Sequence, residues 1–169
     1  MQENYVISIV GRQKVDGETG EIEVTTLGNY VRKGANRYIV YKEYDAEQPS
    51  LAPRTSILKF EGGHKMTLIR GGGDNTRLIL ENGKRHLCQY DTGFGSMTVG
   101  VFTESLHSKL TDEGGSVDIS YTLDVNSNLS SFNELHITVK EAGVPLRVPP
   151  AFRNHHSVSI SHPGIQRGY

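Results

Sequence analysis

A period of two residues in hydrophobicity dominates this chain and restricts it to β structure. The period is clearest over residues 117–125, where Val, Ile, Tyr, Leu and Val alternate with Asp, Ser, Thr and Asp. The same alternation runs through 134–140. Between the two stretches lies Asn126-Ser127-Asn128, and because Asn tolerates positive φ, this triplet is typical of a hairpin turn. The pattern predicts paired strands with one apolar and one polar face.

Similar stretches precede this hairpin, and glycine-containing turn sequences such as Asp16-Gly17 and Asn82-Gly83 separate them. Further strands are expected near 4–13, 21–33, 37–45, 54–61, 65–71, 76–81, 85–92 and 95–105. The window 104–113, with Leu106 and Leu110 four residues apart, is the best candidate for a short helix.

About ten strands with such short connections predict an all-β, antiparallel up-and-down meander. A meander of this length does not remain flat and open, because strand twist and exposed edges favour closure. One apolar face per strand suits a closed barrel with that face inward. A two-sheet sandwich is the alternative, but the chain shows no clear Greek-key crossover, and this favours the barrel.

The composition changes where the alternation ends. Residues 143–169 hold four of the six prolines and three of the seven histidines. Proline cannot donate to a β ladder, so this segment is not expected in a central strand. The sequence therefore predicts a barrel domain over residues 1–142 and a Pro/His-rich tail over residues 143–169. The tail is expected to be disordered or to lie on the barrel surface.

Charge and cysteine content limit the classes of partner. The chain has 18 basic and 19 acidic residues and a formal net charge of −1. This balance gives no electrostatic reason to expect nucleic acid or an anionic membrane. The single Cys88 excludes an internal disulfide. Residues 1–4 lack the basic start of a signal peptide, and no apolar run approaches the roughly 18 residues that span a bilayer. We therefore expect a cytoplasmic protein.

Motifs for catalysis are missing from the sequence. It contains no Gly-Xaa-Ser-Xaa-Gly, no His-Glu-Xaa-Xaa-His and no phosphate-binding glycine loop followed by Lys-Ser/Thr. The segments Gly71-Gly72-Gly73 and Gly93-Phe94-Gly95 lie between expected strands and are typical of turns. The tail histidines His155, His156 and His162 have no cysteine or carboxylate nearby to complete a metal site. The sequence therefore predicts no enzyme, no cofactor and no metal.

The strongest candidates for ligand binding are Arg70, Arg85, His86 and Tyr90. Cys88 shares a strand face with His86 and Tyr90, and because free cysteine is usually buried, this face is expected to point inward. Arg85 then points outward or lies at the rim. Too far from His86 for a hydrogen bond and buried in apolar surroundings, Cys88 itself is expected to be inert.

Arg70 follows Met66 and Leu68 on one strand face, which places it at the inner end of an apolar row. An inward arginine needs a partner, because an unpaired buried charge costs several kcal/mol. In the functional interpretation, Arg70 anchors a carboxylate or phosphate while His86 and Tyr90 complete the hydrogen bonds. In the structural interpretation, Arg70 closes the barrel end through a salt bridge to one of three acidic residues: Glu43, Glu81 or Asp91.

Several motifs resemble the YwiB-like family of bacterial proteins. These are Lys84-Arg85-His86, Tyr90-Asp91-Thr92, Phe94-Gly95-Ser96, Gly100-Val101-Phe102-Thr103, the segment 66–71 and the segment 112–115. The resemblance extends over residues 3–141 in the same order and spacing, and it implies a calycin-type β-barrel related in architecture to lipocalins. It implies no function, because the family is uncharacterised.

The chain departs from the family at Gly93, where proline is frequent, and in the tail, which has no family counterpart. It also contains no Trp, so the Gly-Xaa-Trp signature of true lipocalins is absent. Lipocalin ligands therefore transfer only as an analogy of architecture.

Two functional hypotheses result. The first is a non-catalytic barrel that binds a small anionic or amphipathic molecule. The alternative is a structural or protein-interaction module whose barrel is filled by side chains. An interior pocket of about 300 Å³ or more that Arg70 faces favours the binding protein, whereas a solid interior favours the module. An enzyme that uses His86 and Tyr90 as acid and base has no support from any motif.

Overall fold

The computed structural model describes residues 3–44, 53–71, 76–91 and 95–143. Within these ranges the chain forms ten strands, and no helix has the length and apolar character needed to cross a membrane. The strands are β1 (Tyr5–Val15), β2 (Glu18–Lys33), β3 (Asn36–Glu43), β4 (Arg54–Glu61), β5 (Lys65–Arg70), β6 (Arg77–Glu81), β7 (Arg85–Asp91), β8 (Ser96–Thr111), β9 (Gly114–Val125) and β10 (Asn128–Glu141).

All ten strands belong to one closed antiparallel barrel. Each strand pairs with its neighbour in sequence, and β1 also pairs with β10. This closing ladder runs from Tyr5 opposite Glu141 to Lys14 opposite Phe132. Closure pairs both strands that would otherwise be edges of an open sheet. The predicted up-and-down barrel is confirmed, and the sandwich alternative is excluded.

The best candidate window for a short helix, 104–113, forms none, because residues 104–111 belong to β8. A spacing of four residues places Leu106 and Leu110 on one face of a strand as well as of a helix. The ladder with β9 shifts register between Thr103 and Ser105, which marks a β-bulge at Glu104. Thr103 and Leu106 are both buried, so the bulge interrupts the period of two that the sequence analysis relied on.

The hairpin between β9 and β10 is confirmed. Asn126 and Ser127 have φ values of 53° and 67°, as expected for a tight hairpin turn. The predicted tail over residues 143–169 lies outside the described residues from residue 144 onward. The last described strand, β10, ends at Glu141.

The core fills the barrel toward one end. We call the end with the β1–β2 and β9–β10 turns the cavity end, and the end with the β2–β3 and β4–β5 turns the opposite end. The largest side chains with almost no exposure are Phe60, Ile7, Ile39, Met66, Leu80, Ile119 and Ile137. Phe60, Met66 and Leu80 lie next to the turns of the opposite end. Each large apolar side chain that is fully buried contributes roughly 1.5–3 kcal/mol.

The ladder between β6 and β7 is much shorter than its neighbours. Its register is recorded for one residue pair, Arg77 opposite Gln89. Nearby, the backbone N–H of Ile79 donates to Cys88 Sγ at 3.3 Å, and Asn82 forms a bridge to Thr103 of β8. We call this stretch between β6 and β7 the seam. Among the described strand pairs, β6 and β7 have the shortest ladder.

We expect truncation after Ala142 to leave the barrel folded, because the closing ladder lies entirely within residues 5–141. Thermal unfolding of the truncated and full chains tests this. A fall in midpoint of more than about 8 °C would show that residues beyond 142 supply over a kcal/mol of stability and that the domain boundary is misplaced.

Candidate functional site

A cavity of about 180 Å³ lies inside the barrel at the cavity end. Its outer wall is polar and its deeper wall is mainly apolar. The polar lining includes Glu43, Arg54, Arg70, Thr76, Tyr90, Gln13 and Asn133. The apolar lining includes Ile9, Val24, Leu58, Met66, Leu68, Leu78, Leu123 and Ile137. A charged rim over an apolar floor is a typical arrangement for binding a small molecule.

Strand register explains why two arginines face this cavity. Arg54 of β4 lies directly opposite Glu43 of β3. On the other side of β4, Arg70 of β5 lies directly opposite Ser56 of β4. Residues directly opposite each other in an antiparallel pair share a face of the sheet. Because Glu43 and Ser56 are buried, Arg54 and Arg70 must also belong to the inner face. Both arginines line the cavity.

Arg70 forms an ion pair with Glu43. Its Nε lies 3.1 Å from Glu43 Oε2, and the Ser56 hydroxyl donates to the same oxygen at 2.8 Å. Glu43 is only 7% exposed, so its charge needs this compensation. Of the three acidic partners proposed from the sequence, the structure pairs Arg70 with Glu43. Arg70 therefore combines a structural contact with a position on the cavity wall.

Tyrosine side chains complete the polar part of the wall. Tyr41 and Tyr121 are buried and line the cavity together with Tyr90. Burial raises the pKa of both the Tyr41 and the Tyr121 hydroxyl, and the nearby Arg70 charge only partly opposes this rise. Both hydroxyls therefore stay protonated at neutral pH and are available as neutral hydrogen-bond groups.

A chain of buried polar residues that was not predicted from the sequence lies on the other side of the cavity. Gln13 Nε2 donates to Asn133 Oδ1 at 3.3 Å, and Asn133 Nδ2 donates to Ser131 Oγ at 2.9 Å. All three residues are buried. The alternation along the strands could have revealed these residues, because Gln13 and Asn133 continue the inward-facing rows of Ile7 in β1 and Ile137 in β10. Arg54 could have been found in the same way.

Arg85 lies on the outer surface, which is one of the two positions expected from the sequence. Its Nε and Nη2 donate to the two carboxylate oxygens of Asp124 at 3.0 and 2.6 Å. This bidentate contact lowers the pKa of Asp124. The pair lies over Gly100, where a Cβ atom would overlap the guanidinium group. Arg85 does not line the cavity.

His86 lies at the seam and contacts Glu81. The distance between His86 Nε2 and Glu81 Oε1 is 2.9 Å, and Lys84 Nζ lies 3.3 Å from the other carboxylate oxygen. The hydrogen bond with His86 lowers the pKa of Glu81. Of the four predicted ligand-binding residues, the structure brings Arg70 and Tyr90 together at the cavity. It places Arg85 and His86 elsewhere.

Cys88 is buried and points inward. Burial raises the pKa of its thiol, which makes the reactive thiolate rare at neutral pH. Within the described ranges, no three His, Cys, Asp or Glu side chains form a cluster that could hold a metal ion. The tail histidines His155, His156 and His162 lie outside those ranges.

We expect Asp124→Asn to lower stability by about 1 kcal/mol at neutral pH, since Arg85 is partly exposed and solvent screens the pair. The pKa of Asp124 is lowered in the folded state, so its contribution exists above the unfolded pKa of about 3.9 and is lost as pH falls through the folded value. The difference between wild type and variant should therefore disappear in acid. Urea unfolding at several pH values measures it, with exposed Glu104→Gln as control. A pH-independent difference would contradict the assignment.

We expect Cys88 to resist a charged thiol reagent in the native state, at least roughly tenfold relative to denatured protein, because modification requires local opening of the wall. The matched control is Gln89→Cys combined with Cys88→Ser. Gln89 is exposed on the outer face of the same strand, so this cysteine should react rapidly. Equal labelling rates for wild type and control would show that the inner face of β7 is wrongly assigned.

Comparison with known proteins adds a family. The model of a family described as a domain of unknown function, DUF1934, matches residues 7–137. The uncharacterized beta-barrel protein YwiB of Bacillus subtilis (strain 168) is 26% identical over 123 residues, covering 73% of this chain and 83% of that protein. The crystal structure of the ywiB protein from Bacillus subtilis matches with a TM-score of 0.71 at 23% identity. It covers 83% of this chain and 92% of that chain. The resemblance drawn from the sequence is confirmed.

Proposed function

Because the chain belongs to the DUF1934 family, whose description assigns no activity, we propose a function from the barrel interior: the protein binds a small organic anion in its cavity and catalyses no reaction. The observation that carries this proposal is the presence of two inward arginines, Arg54 and Arg70, on the wall of one cavity.

Charge supports an anionic ligand. Among the charged side chains of β3, β4 and β5 that face the cavity, Arg54 and Arg70 contribute two positive charges and Glu43 one negative charge. A guanidinium has five N–H donors, so the contact of Arg70 Nε with Glu43 is compatible with a ligand at its terminal nitrogens. Paired arginines recognise carboxylate and phosphate well because the N–H donors match their oxygens in number and geometry.

Volume supports a ligand with a small apolar part. The cavity of about 180 Å³ lies below the roughly 300 Å³ at which ordinary ligand pockets begin. It is larger than the about 150 Å³ cavity of an engineered protein that binds benzene. A single ring or short chain with one acidic group suits this space, whereas a long-chain amphiphile does not. The ligand expected from the sequence is therefore narrowed to a small anion with a short apolar part. The cavity also argues against the alternative hypothesis, a barrel interior filled by side chains.

The wider setting is part of the same proposal. The ten-strand antiparallel meander supports a calycin-type architecture, and the Bacillus subtilis relative supports a bacterial origin. A formal net charge of −1 supports a protein that works without nucleic acid or an anionic membrane. A cytoplasmic location is part of the same proposal.

We expect Arg70→Met to weaken binding of benzoate by about 1.5–3 kcal/mol, the contribution of a charged hydrogen bond, as measured by titration calorimetry. The matched control is Arg77→Met, because Arg77 lies on the outer face of the adjacent β6 and is exposed. The control should bind benzoate as the wild type does. Failure of the wild type to bind benzoate, short aliphatic carboxylates and phenyl phosphate would refute the proposal.

The structural role of Arg70 can be separated from its role in binding. Arg70→Met alone should destabilise the fold by about 3 kcal/mol, because it removes the ion-pair partner of the buried Glu43. Adding Glu43→Gln removes the buried charge and should restore most of this stability. Benzoate binding should stay weak in the double variant. Full recovery of binding together with stability would show that Arg70 acts only through the fold.

A further inference from the structure

The outer face of β7–β10 carries a group of exposed apolar side chains. Leu87, Phe102, Leu129 and Phe132 are 68%, 36%, 56% and 50% exposed. Register places them together: Phe102 and Phe132 both lie opposite Thr122, one on each side of β9. Leu87 lies opposite Gly100 on β8, and Leu129 lies opposite Asp124 on β9. We call these four side chains the β7–β10 patch.

The centre of the patch is electrically balanced. Gly100 has no side chain, and the ion pair of Arg85 with Asp124 lies across it. The two charges compensate each other within one copy, so the patch does not select a strongly charged partner such as nucleic acid or an anionic membrane. Apolar side chains surround this neutral centre.

The patch has the size expected for the core of a modest interface. With about 200 Å² for a large side chain, the exposed fractions correspond to roughly 400 Å² of apolar surface. The largest apolar patch of an ordinary monomer is about 300–600 Å² and is often functional. A standard interface buries about 800 Å² per partner, and an apolar core of this size with a polar rim would satisfy that requirement.

The geometry points to one occupant. Within the described residues every strand has a neighbour on both sides, so the patch offers a partner no free sheet edge to extend. The convex outer face of a barrel provides no groove for a helix. A second copy, by contrast, supplies apolar side chains for the patch and its own Arg85–Asp124 pair for the neutral centre. We propose that the β7–β10 patch is the interface of a symmetric dimer, in which the same patch of a second copy covers it. A two-fold axis near Gly100 would set Arg85 of one copy against Asp124 of the other.

Sedimentation velocity of the full chain over about 1–100 µM tests this proposal. The wild type should show a monomer–dimer equilibrium. Phe132→Glu should weaken the dimer at least tenfold, because both copies place a charge at the apolar interface. Tyr44→Glu is the matched control: Tyr44 is 39% exposed but follows β3, on the opposite side of the barrel, and should leave the equilibrium unchanged.

A second variant and thermal unfolding distinguish loss of the dimer from loss of the fold. Leu87→Glu introduces the same charge on another strand and should give the same loss of dimer, with thermal midpoints of both variants near that of the wild type. A wild type that is monomeric at every concentration would overturn the proposal. So would a dimer that persists in both variants, since another surface would then form it. A monomeric wild type in which Phe132→Glu speeds tryptic cleavage after Arg147 or Arg153 would identify the tail as the occupant, and it would equally overturn the proposal.

Discussion

The ladder between β1 and β10 is the interaction on which the rest of the structure depends. It turns a twisted meander into a tube, so that each strand has one face toward a shared interior and one toward solvent. Inside a closed barrel, a polar side chain at an inward-facing position can reach solvent only through the ends of the barrel. This confinement is why Gln13, Asn133 and Ser131 bond to one another, and why Glu43 is held by Arg70 and Ser56.

At the cavity end, Glu43 and Arg70 contribute both to the stability of the fold and to the proposed binding site. Glu43 is a buried charge whose removal relieves a desolvation cost, yet it also fixes the guanidinium group of Arg70 against the wall. A positioned arginine loses less conformational entropy when it meets an anion than a mobile one does. On the proposed function, the ion pair thus orders the site before a ligand arrives. A carboxylate orients an arginine on the outer surface as well, since Asp124 holds the guanidinium group of Arg85 over Gly100.

Local pattern was enough to predict the strand order, the final hairpin and the inward direction of Cys88, because each depends on alternation and turn chemistry within a few residues. The bulge at Glu104 was not predictable, since an inserted residue changes phase without changing composition. Partners far apart in sequence, such as Arg85 with Asp124 and Gln13 with Asn133, depend on register around the whole barrel. Arg70 and Tyr90 were found because polar residues interrupt apolar rows. His86 follows the same rule, but it lies next to the β6–β7 turn, at the opposite end of the barrel, where it contacts Glu81 and does not reach the cavity.

The pairing of Tyr5 with Glu141 has a consequence for the order of events during synthesis. Of the ten described strands, β1 leaves the ribosome first and its closing partner, β10, leaves last. Until then β1 offers an unpaired edge to any other extended chain, and ordering the ends together costs loop entropy that grows with the intervening length. Folding of this chain is therefore expected to complete only after translation of β10, with hairpins present before the tube exists. The slow step would be the meeting of the two ends of the domain.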